Sequence, residues 1–242
     1  MSMFDEAAVA LLRASTVLPR GSMRLARMLA GMRPSLRRYP ARTKYGRLFC
    51  DVTESSCFAL AASGEFTRWR ADEQAIAAIP LDRRSVVLDI GANIGVMTRI
   101  FAERAGHVHA FEPSPRALAL LQLNAPPNCT VHPFALGEKE GVVAFAECEA
   151  LDMSHIGEGD LQVPVRTVDS LGLRPSFIKI DVEGFEPQVL RGAAQTLAAG
   201  PIVMFEALTP KLLEECTSIL AAANARYHVI DMGSGENFLA RL

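Results

Sequence analysis

Three groups of residues in this 242-residue chain combine type and spacing in a way that can do chemistry. The densest is Ile178-Lys179-Ile180-Asp181-Val182-Glu183-Gly184-Phe185-Glu186, a lysine and three acids at the end of an apolar run. Alternation along a strand aims Lys179 and Asp181 to one side, opposite Ile178 and Ile180. Such charges inside an apolar strand are costly unless they pair or meet a ligand. One reading is an ion pair that only fixes the loop. The other is a site, because open α/β sheets bind ligands at the carboxyl ends of their strands.

The second group is Val86-Val87-Leu88-Asp89-Ile90-Gly91-Ala92-Asn93-Ile94-Gly95. It begins as a strand buried on both faces, turns through two glycines, and continues as an apolar-periodic helix from Val96 to Ala105. A dinucleotide fingerprint places a third glycine between these two, so that a diphosphate can approach the backbone. Asn93 occupies that position, and no phosphate-loop lysine follows. An acid at the strand end suits an ammonium group, which is the demand of S-adenosylmethionine (SAM). A turn without a ligand is the alternative.

The third group is Glu112-Pro113, 17 positions beyond Gly95 at the end of the next strand. A carboxylate there can accept two hydrogen bonds from a ribose diol. A helix N-terminal acid ahead of Ser114 is the other reading. Phe134-Ala135-Leu136-Gly137 follows the third strand, either as an adenine-flanking loop or as a simple turn.

These residues need a frame, and from Ser85 onward the pattern supplies one. Strands are expected at 86–90, 107–111, 130–133, 177–181 and 201–205, alternating with helices, the sign of a parallel sheet. Val142–Phe145 and Val163–Thr167 read as further strands flanking a polar loop. The last runs, Tyr227–Asp231 and Asn237–Leu242, are joined by Gly233-Ser234-Gly235 and must pair antiparallel. A mostly parallel sheet ending in an antiparallel hairpin is the class I methyltransferase arrangement. Upstream, residues 3–14 read as an amphipathic helix and Ser22 as the cap of a second helix. Residues 33–45 read as a linker, Leu48–Val52 and Cys57–Ala61 as short strands, and Trp69–Ile79 as a helix.

Half the residues are apolar and charge is modest, as in a globular α/β domain. Five cysteines without C-x-x-C spacing read as scattered thiols rather than a disulfide framework or a zinc site. No membrane-length apolar stretch and no signal-peptide layout is present, so a cytoplasmic location is expected. Charge is uneven. Residues 7–50 hold nine arginines, one lysine and no acid, whereas residues 51–242 hold 15 basic and 25 acidic residues. The basic segment either packs on the body or is solvated, or it docks an anionic partner such as an acidic carrier or a membrane face. Few aromatics interleave with it, so nucleic acid is not an expected partner.

The combination resembles the FkbM family of SAM-dependent methyltransferases. The resemblance rests on Val87 through Gly95, Ala110-Phe111-Glu112-Pro113, Thr167-Val168-Asp169, Lys179 through Glu186, Val189-Leu190-Arg191-Gly192-Ala193 and Asn237-Phe238-Leu239-Ala240. It covers residues 46–242 and leaves 1–45 as a basic helical extension. It implies a Rossmann-like class I methyltransferase fold, with a seven-stranded, mostly parallel sheet ending in an antiparallel hairpin. It also implies O-methylation of a hydroxyl on a sugar, glycan or polyketide-type metabolite. By position, Asp89, Gly91, Ala92, Asn93, Gly95, Glu112, Pro113, Ala135, Leu136 and Asp181 would hold the cofactor. Asp181, Glu183 and Lys179 would stand at the reacting end. Asp181, Glu183 or His155, in the polar loop 152–160, could be the base that removes the hydroxyl proton. The Asn-Pro-Pro-aromatic block of one common kind of N-methyltransferase is absent at 181–184, which favours oxygen as acceptor. A metal bridging Asp181 and Glu206 lacks evident further ligands, so none is expected. A non-catalytic SAM-binding module and an NAD-type oxidoreductase are the alternatives.

Overall fold

The computed structural model describes residues 6–11, 21–65 and 72–242. Residues 6–11 are helical, within the helix expected at 3–14, whose remainder lies outside the described residues. Helix α1 spans Ser22–Met32, with Gly21 rather than Ser22 at its N-cap. A 3₁₀ turn at Pro34–Arg38 leads into strand β1 (Tyr39–Thr43), which pairs antiparallel with β2 (Gly46–Cys50). The expected linker is therefore a structured hairpin arm. Tyr39 and Ala41 point inward and are buried, while Arg42 points outward opposite Arg47. The expected boundary between 45 and 46 falls in the turn of this hairpin.

Cys57–Ala61 is not a strand but part of helix α2 (Ser55–Ser63). A short apolar run fits either period, and here the ends decide. Glu54 accepts the N–H groups of Ser56 and Cys57 at 3.0 and 2.6 Å, and Gly64 closes the helix in the left-handed conformation. Helix α3 (Glu73–Ala78) lies within the expected 69–79 helix, of which residues 69–71 lie outside the described residues.

Next come β3 (Val86–Ile90), α4 (Val96–Ala102), β4 (His107–Phe111), α5 (Pro115–Asn124) and β5 (Cys129–His132). Ser114 caps α5 through the N–H of Ala117, with Pro115 first in the helix. Then β6 (Ala135–Leu136), β7 (Gly141–Ala146), β8 (His155–Ile156) and β9 (Leu161–Arg166) build a second sheet in the order β6-β9-β7-β8. Residues 134–137, expected as a loop, thus contain a strand paired to β9. The chain finishes with β10 (Phe177–Ile180), α6 (Glu186–Arg191), α7 (Ala194–Ala198), β11 (Ile202–Glu206), α8 (Pro210–Ala223), β12 (His228–Asp231) and β13 (Asn237–Arg241).

The main sheet runs β12-β13-β11-β10-β3-β4-β5, with β13 antiparallel to both its neighbours and the other pairs parallel. This is the seven-stranded topology expected from sequence. Apolar residues cover both faces, so the central strands carry near-continuous hydrophobic runs. On one face Val87, Phe101, Val108 and Phe177 pack together with Ile76 and Ile79. On the other, Leu88, Ile90 and Ile178 pack with Val189, Leu197 and Leu220. A third cluster joins Ala26, Leu36, Leu48 and Leu60 to Ile94 and Ala117, so the N-terminal arm is packed onto the glycine turn and α5. No helix among the described residues is long and apolar enough to cross a membrane.

Candidate active site

The glycine turn is held against two neighbours. Gly91 and Ala92 both donate their N–H to the Phe111 carbonyl at 3.0 Å. Gly91 has φ +73°, and a Cβ there would lie 1.8 Å from the Asp181 carbonyl oxygen. Only glycine lets the two strand ends approach so closely. Asn93 follows with φ +50°, a conformation asparagine tolerates. Its Oδ1 is shielded from water and has no hydrogen-bond partner.

Glu112 is buried at the mouth of β4. It accepts the Asn93 N–H and the Ser114 N–H, both at 2.8 Å. Burial pushes its carboxyl up to about 7, against the pull of those two hydrogen bonds. It is thus a pre-aimed acceptor set to titrate near neutrality.

Lys179 takes a different part from the reacting one expected. Its buried ammonium donates to the Gly91 carbonyl at 2.8 Å and lies 3.2 Å from Asp181 Oδ2 and 3.5 Å from Asp89 Oδ1. Burial alone would lower its pKa, but the charges of Asp181 and Asp89 outweigh it and raise it. A lysine held protonated among oxygens ties β3 to β10; it is a positioning residue. Asp89 is also displaced from its expected task. It is fully buried, accepts from the Thr98 hydroxyl, and does not line the cavity. Gly95 likewise stands behind the wall: at φ +92° it opens α4, and a Cβ there would meet Leu121 Cδ1 at 2.7 Å.

The Asp181–Glu186 block folds as a turn that aims its acids. Glu183 and Gly184 adopt φ +55° and +94°. The buried Glu186 carboxylate accepts the N–H of Val182 at 3.0 Å and of Gly184 at 3.3 Å, bracing the turn from inside. Burial raises the Glu186 pKa. The result brings Glu183 beside Asp181 and Glu206, with one oxygen of each within 4.8 Å of the others. Sequence spacing related only Asp181 and Glu206; the left-handed turn supplies the third acid. Hard oxygen donors of this kind suit cations such as Mg²⁺, Mn²⁺ or Ca²⁺.

A further part of the cavity lining comes from α2 and from residues 151–156. Glu54, Ser56 and Phe58 line it together with Phe145, Leu151, Asp152, Ser154, His155 and Ile156. The Ser56 hydroxyl donates to Asp152 Oδ2, latching the two segments. Sequence reasoning missed the α2 wall because it read this helix as a strand; the Glu54 cap and Gly64 stop were the signals available. His155, expected in a polar loop, opens strand β8 instead and holds Nδ1 2.9 Å from the Met153 carbonyl oxygen. A carbonyl can only accept, so Nδ1 carries the hydrogen and a neutral imidazole keeps its lone pair on Nε2.

Together these elements enclose a cavity of about 670 Å³ at the carboxyl ends of β3, β4, β10 and β11. Gly91, Ala92, Asn93, Glu112, Pro113, Ala135, Leu136, His155, Lys179, Asp181 and Glu183 line it, as do Glu206 and Asn237. The cavity size is that of a small-molecule site.

Known proteins share this chain's sequence and fold. The model of the methyltransferase FkbM domain matches residues 89–227, which spans the glycine turn, Glu112 and the Asp181–Glu186 block. The hexuronic acid methyltransferase AglP of Haloferax volcanii is 26% identical over 165 residues, covering 64% of this chain and 69% of that protein. The crystal structure of methyltransferase FkbM from Methylobacillus flagellatus KT superposes with a TM-score of 0.53 at 20% identity, over 69% of this chain. This chain covers 45% of that protein, under half its length. The chain is a member of the FkbM methyltransferase family.

Proposed function

We propose that this enzyme uses SAM to methylate a hydroxyl oxygen of a sugar or glycan. The observation that carries the reading is one cavity lined both by Glu112 and the glycine turn and by the Asp181–Glu183–Glu206 group. Family membership supports SAM as the methyl source. The site residues fit it: Asn93 Oδ1 is a shielded acceptor in want of a donor, and Glu112 keeps acceptor capacity after its two backbone bonds. Glu112 would take the ribose hydroxyls, and Ala135 and Leu136 would flank the adenine. When bound, SAM supplies a methyl group on a sulfonium, an electrophile that needs no redox partner.

The chain's own work is to orient the acceptor and take its proton. Asp181 and Glu183 offer acceptors for the acceptor's hydroxyl groups. His155 Nε2, on the lining of the same cavity, takes the proton as the carbon–oxygen bond forms. Asp181 is the weaker candidate for base because it is paired with Lys179. A sugar acceptor is supported by the relative that methylates a hexuronic acid.

The test is calorimetric titration with S-adenosylhomocysteine, followed by labelled methyl transfer to a panel of monosaccharides, amino sugars and uronic acids. Saturable binding and label in an alkali-stable ether are expected. No binding would overturn the cofactor assignment; label in an alkali-labile ester or on nitrogen would overturn the hydroxyl assignment.

A further inference from the structure

Helix α1 packs Met23, Leu25 and Leu29, partly buried, against the core and still leaves large apolar residues outside. Its buried face is made of Ser22, Ala26 and Ala30, four residues apart. Arg24, Met28 and Met32 repeat the same spacing two positions on, about 200° round the helix at the usual rotation per residue. They stand in solvent, with Met28 56% and Met32 65% exposed. Large apolar residues left in solvent on the face away from the core are the pattern of a helix with a second surface to cover.

Charge narrows what covers it. The stripe belongs to the segment 7–50, with ten cations and no acid, on a chain otherwise rich in acid. A second copy of the chain is a poor occupant. A two-fold contact sets a patch against itself, which would bring the arginines of α1 towards their own copies, with Glu149 already bridged to Arg27. Stacked nucleobases would need aromatic side chains, and α1 has none. An anionic lipid surface satisfies both parts: arginines at the headgroups, flexible methionines at the acyl boundary. The position is consistent, since Arg27 on α1 bridges Glu149, two residues before the cavity-lining segment 151–156.

We propose that α1 docks this protein onto an anionic membrane surface, with Met28 and Met32 entering the acyl boundary and the neighbouring arginines meeting the headgroups. The docked face adjoins the cavity wall that carries His155. This inference stands apart from the methyl-transfer reading.

The experiment is co-sedimentation of the full chain with vesicles of phosphatidylglycerol and phosphatidylcholine, and with phosphatidylcholine alone. Binding to the anionic vesicles is expected to exceed binding to neutral ones by about tenfold or more, and to fall about tenfold between 0.1 and 0.5 M salt. The Met28→Ser/Met32→Ser double variant should lose about tenfold in vesicle affinity while its melting temperature and S-adenosylhomocysteine binding stay as in the parent. Equal binding to both vesicle types, binding to neither, or unchanged binding by the double variant would overturn the proposal. So would tight binding to polyglutamate without vesicle binding, which would assign the face to an acidic protein. S-adenosylhomocysteine binding measured on the same samples tests the cofactor reading separately, so failure of one does not imitate failure of the other.

Discussion

The Lys179 ammonium sits 2.8 Å from the Gly91 carbonyl oxygen, and through it two neighbouring strands share one buried cation. Asp89, at the end of the same strand as Gly91, and Asp181, just after Lys179, lie on either side of it at 3.5 and 3.2 Å. The cavity floor is therefore a joint of two carboxylates held by one cation. Lys179→Met should cost on the order of 3–5 kcal/mol, because it leaves the fully buried Asp89 without its cation. It should also weaken S-adenosylhomocysteine binding, since the glycine turn loses its tether. Urea denaturation and calorimetry measure the two. A variant within about 1 kcal/mol of the parent would refute the joint.

Glu112 sets a pH dependence. Its carboxyl is raised from 4.5 to about 7 by burial, so the folded state holds the proton more tightly than the unfolded chain. The stabilisation is complete below about 4.5 and is lost progressively as pH rises to about 7. Glu112→Gln should remove this slope and leave the protein more stable than the parent at pH 8, by on the order of 2–3 kcal/mol. Cofactor affinity should move the other way. It should rise with pH through 7 in the parent as the carboxylate ionises, and stay low and flat in the variant. Denaturation and S-adenosylhomocysteine titration at pH 5, 6, 7 and 8 check both signs.

Glu183 holds a conformation that costs a side chain energy, at φ +55°. Glu183→Gly should relieve that strain and leave stability equal or improved by up to about 1 kcal/mol, after the entropy cost of glycine. Methyl transfer should nevertheless fall by at least about tenfold, because the acid group at the reacting end is broken. A destabilised variant with normal turnover would show that Glu183 serves the fold rather than the chemistry.

His155→Gln should lower kcat by about 10²–10⁴-fold, the usual loss for a general base. Binding of S-adenosylhomocysteine should not change, because His155 is not among the groups assigned to the cofactor. Equal kcat in parent and variant would return the proton to Asp181 or Glu183.

Much of this was legible in the linear chain. The β-branched runs, the two-glycine turn and the terminal Gly-Ser-Gly between two strand-like segments suffice for the seven-stranded sheet, because each is a local pattern with one consistent topology. Residues 57–61 read as a strand from sequence because five apolar residues in a row fit both periods. The helix was decided by the Glu54 cap and by packing against Leu48 and Ile94. Residues 33–45 were misread because arginine and proline suggest a linker, although Tyr39 and Ala41 alternate inward.

The site divides in the same way. Sequence alone determined that Glu112, the Gly91–Asn93 turn and the Asp181–Glu183 acids gather at one edge of the sheet, since strand order and alternation leave them no other place. Tertiary structure decided what each does there. Asp89 and Lys179 have the residue types of ligand-binding groups, yet their nearest oxygens and hydrogens belong to the protein, so they hold the floor. Glu183 joins Asp181 and Glu206 only because the backbone turns left-handed after Val182. His155 lines the same cavity only because β8 pairs with β7 in the second sheet, a long-range placement that carries no local signal.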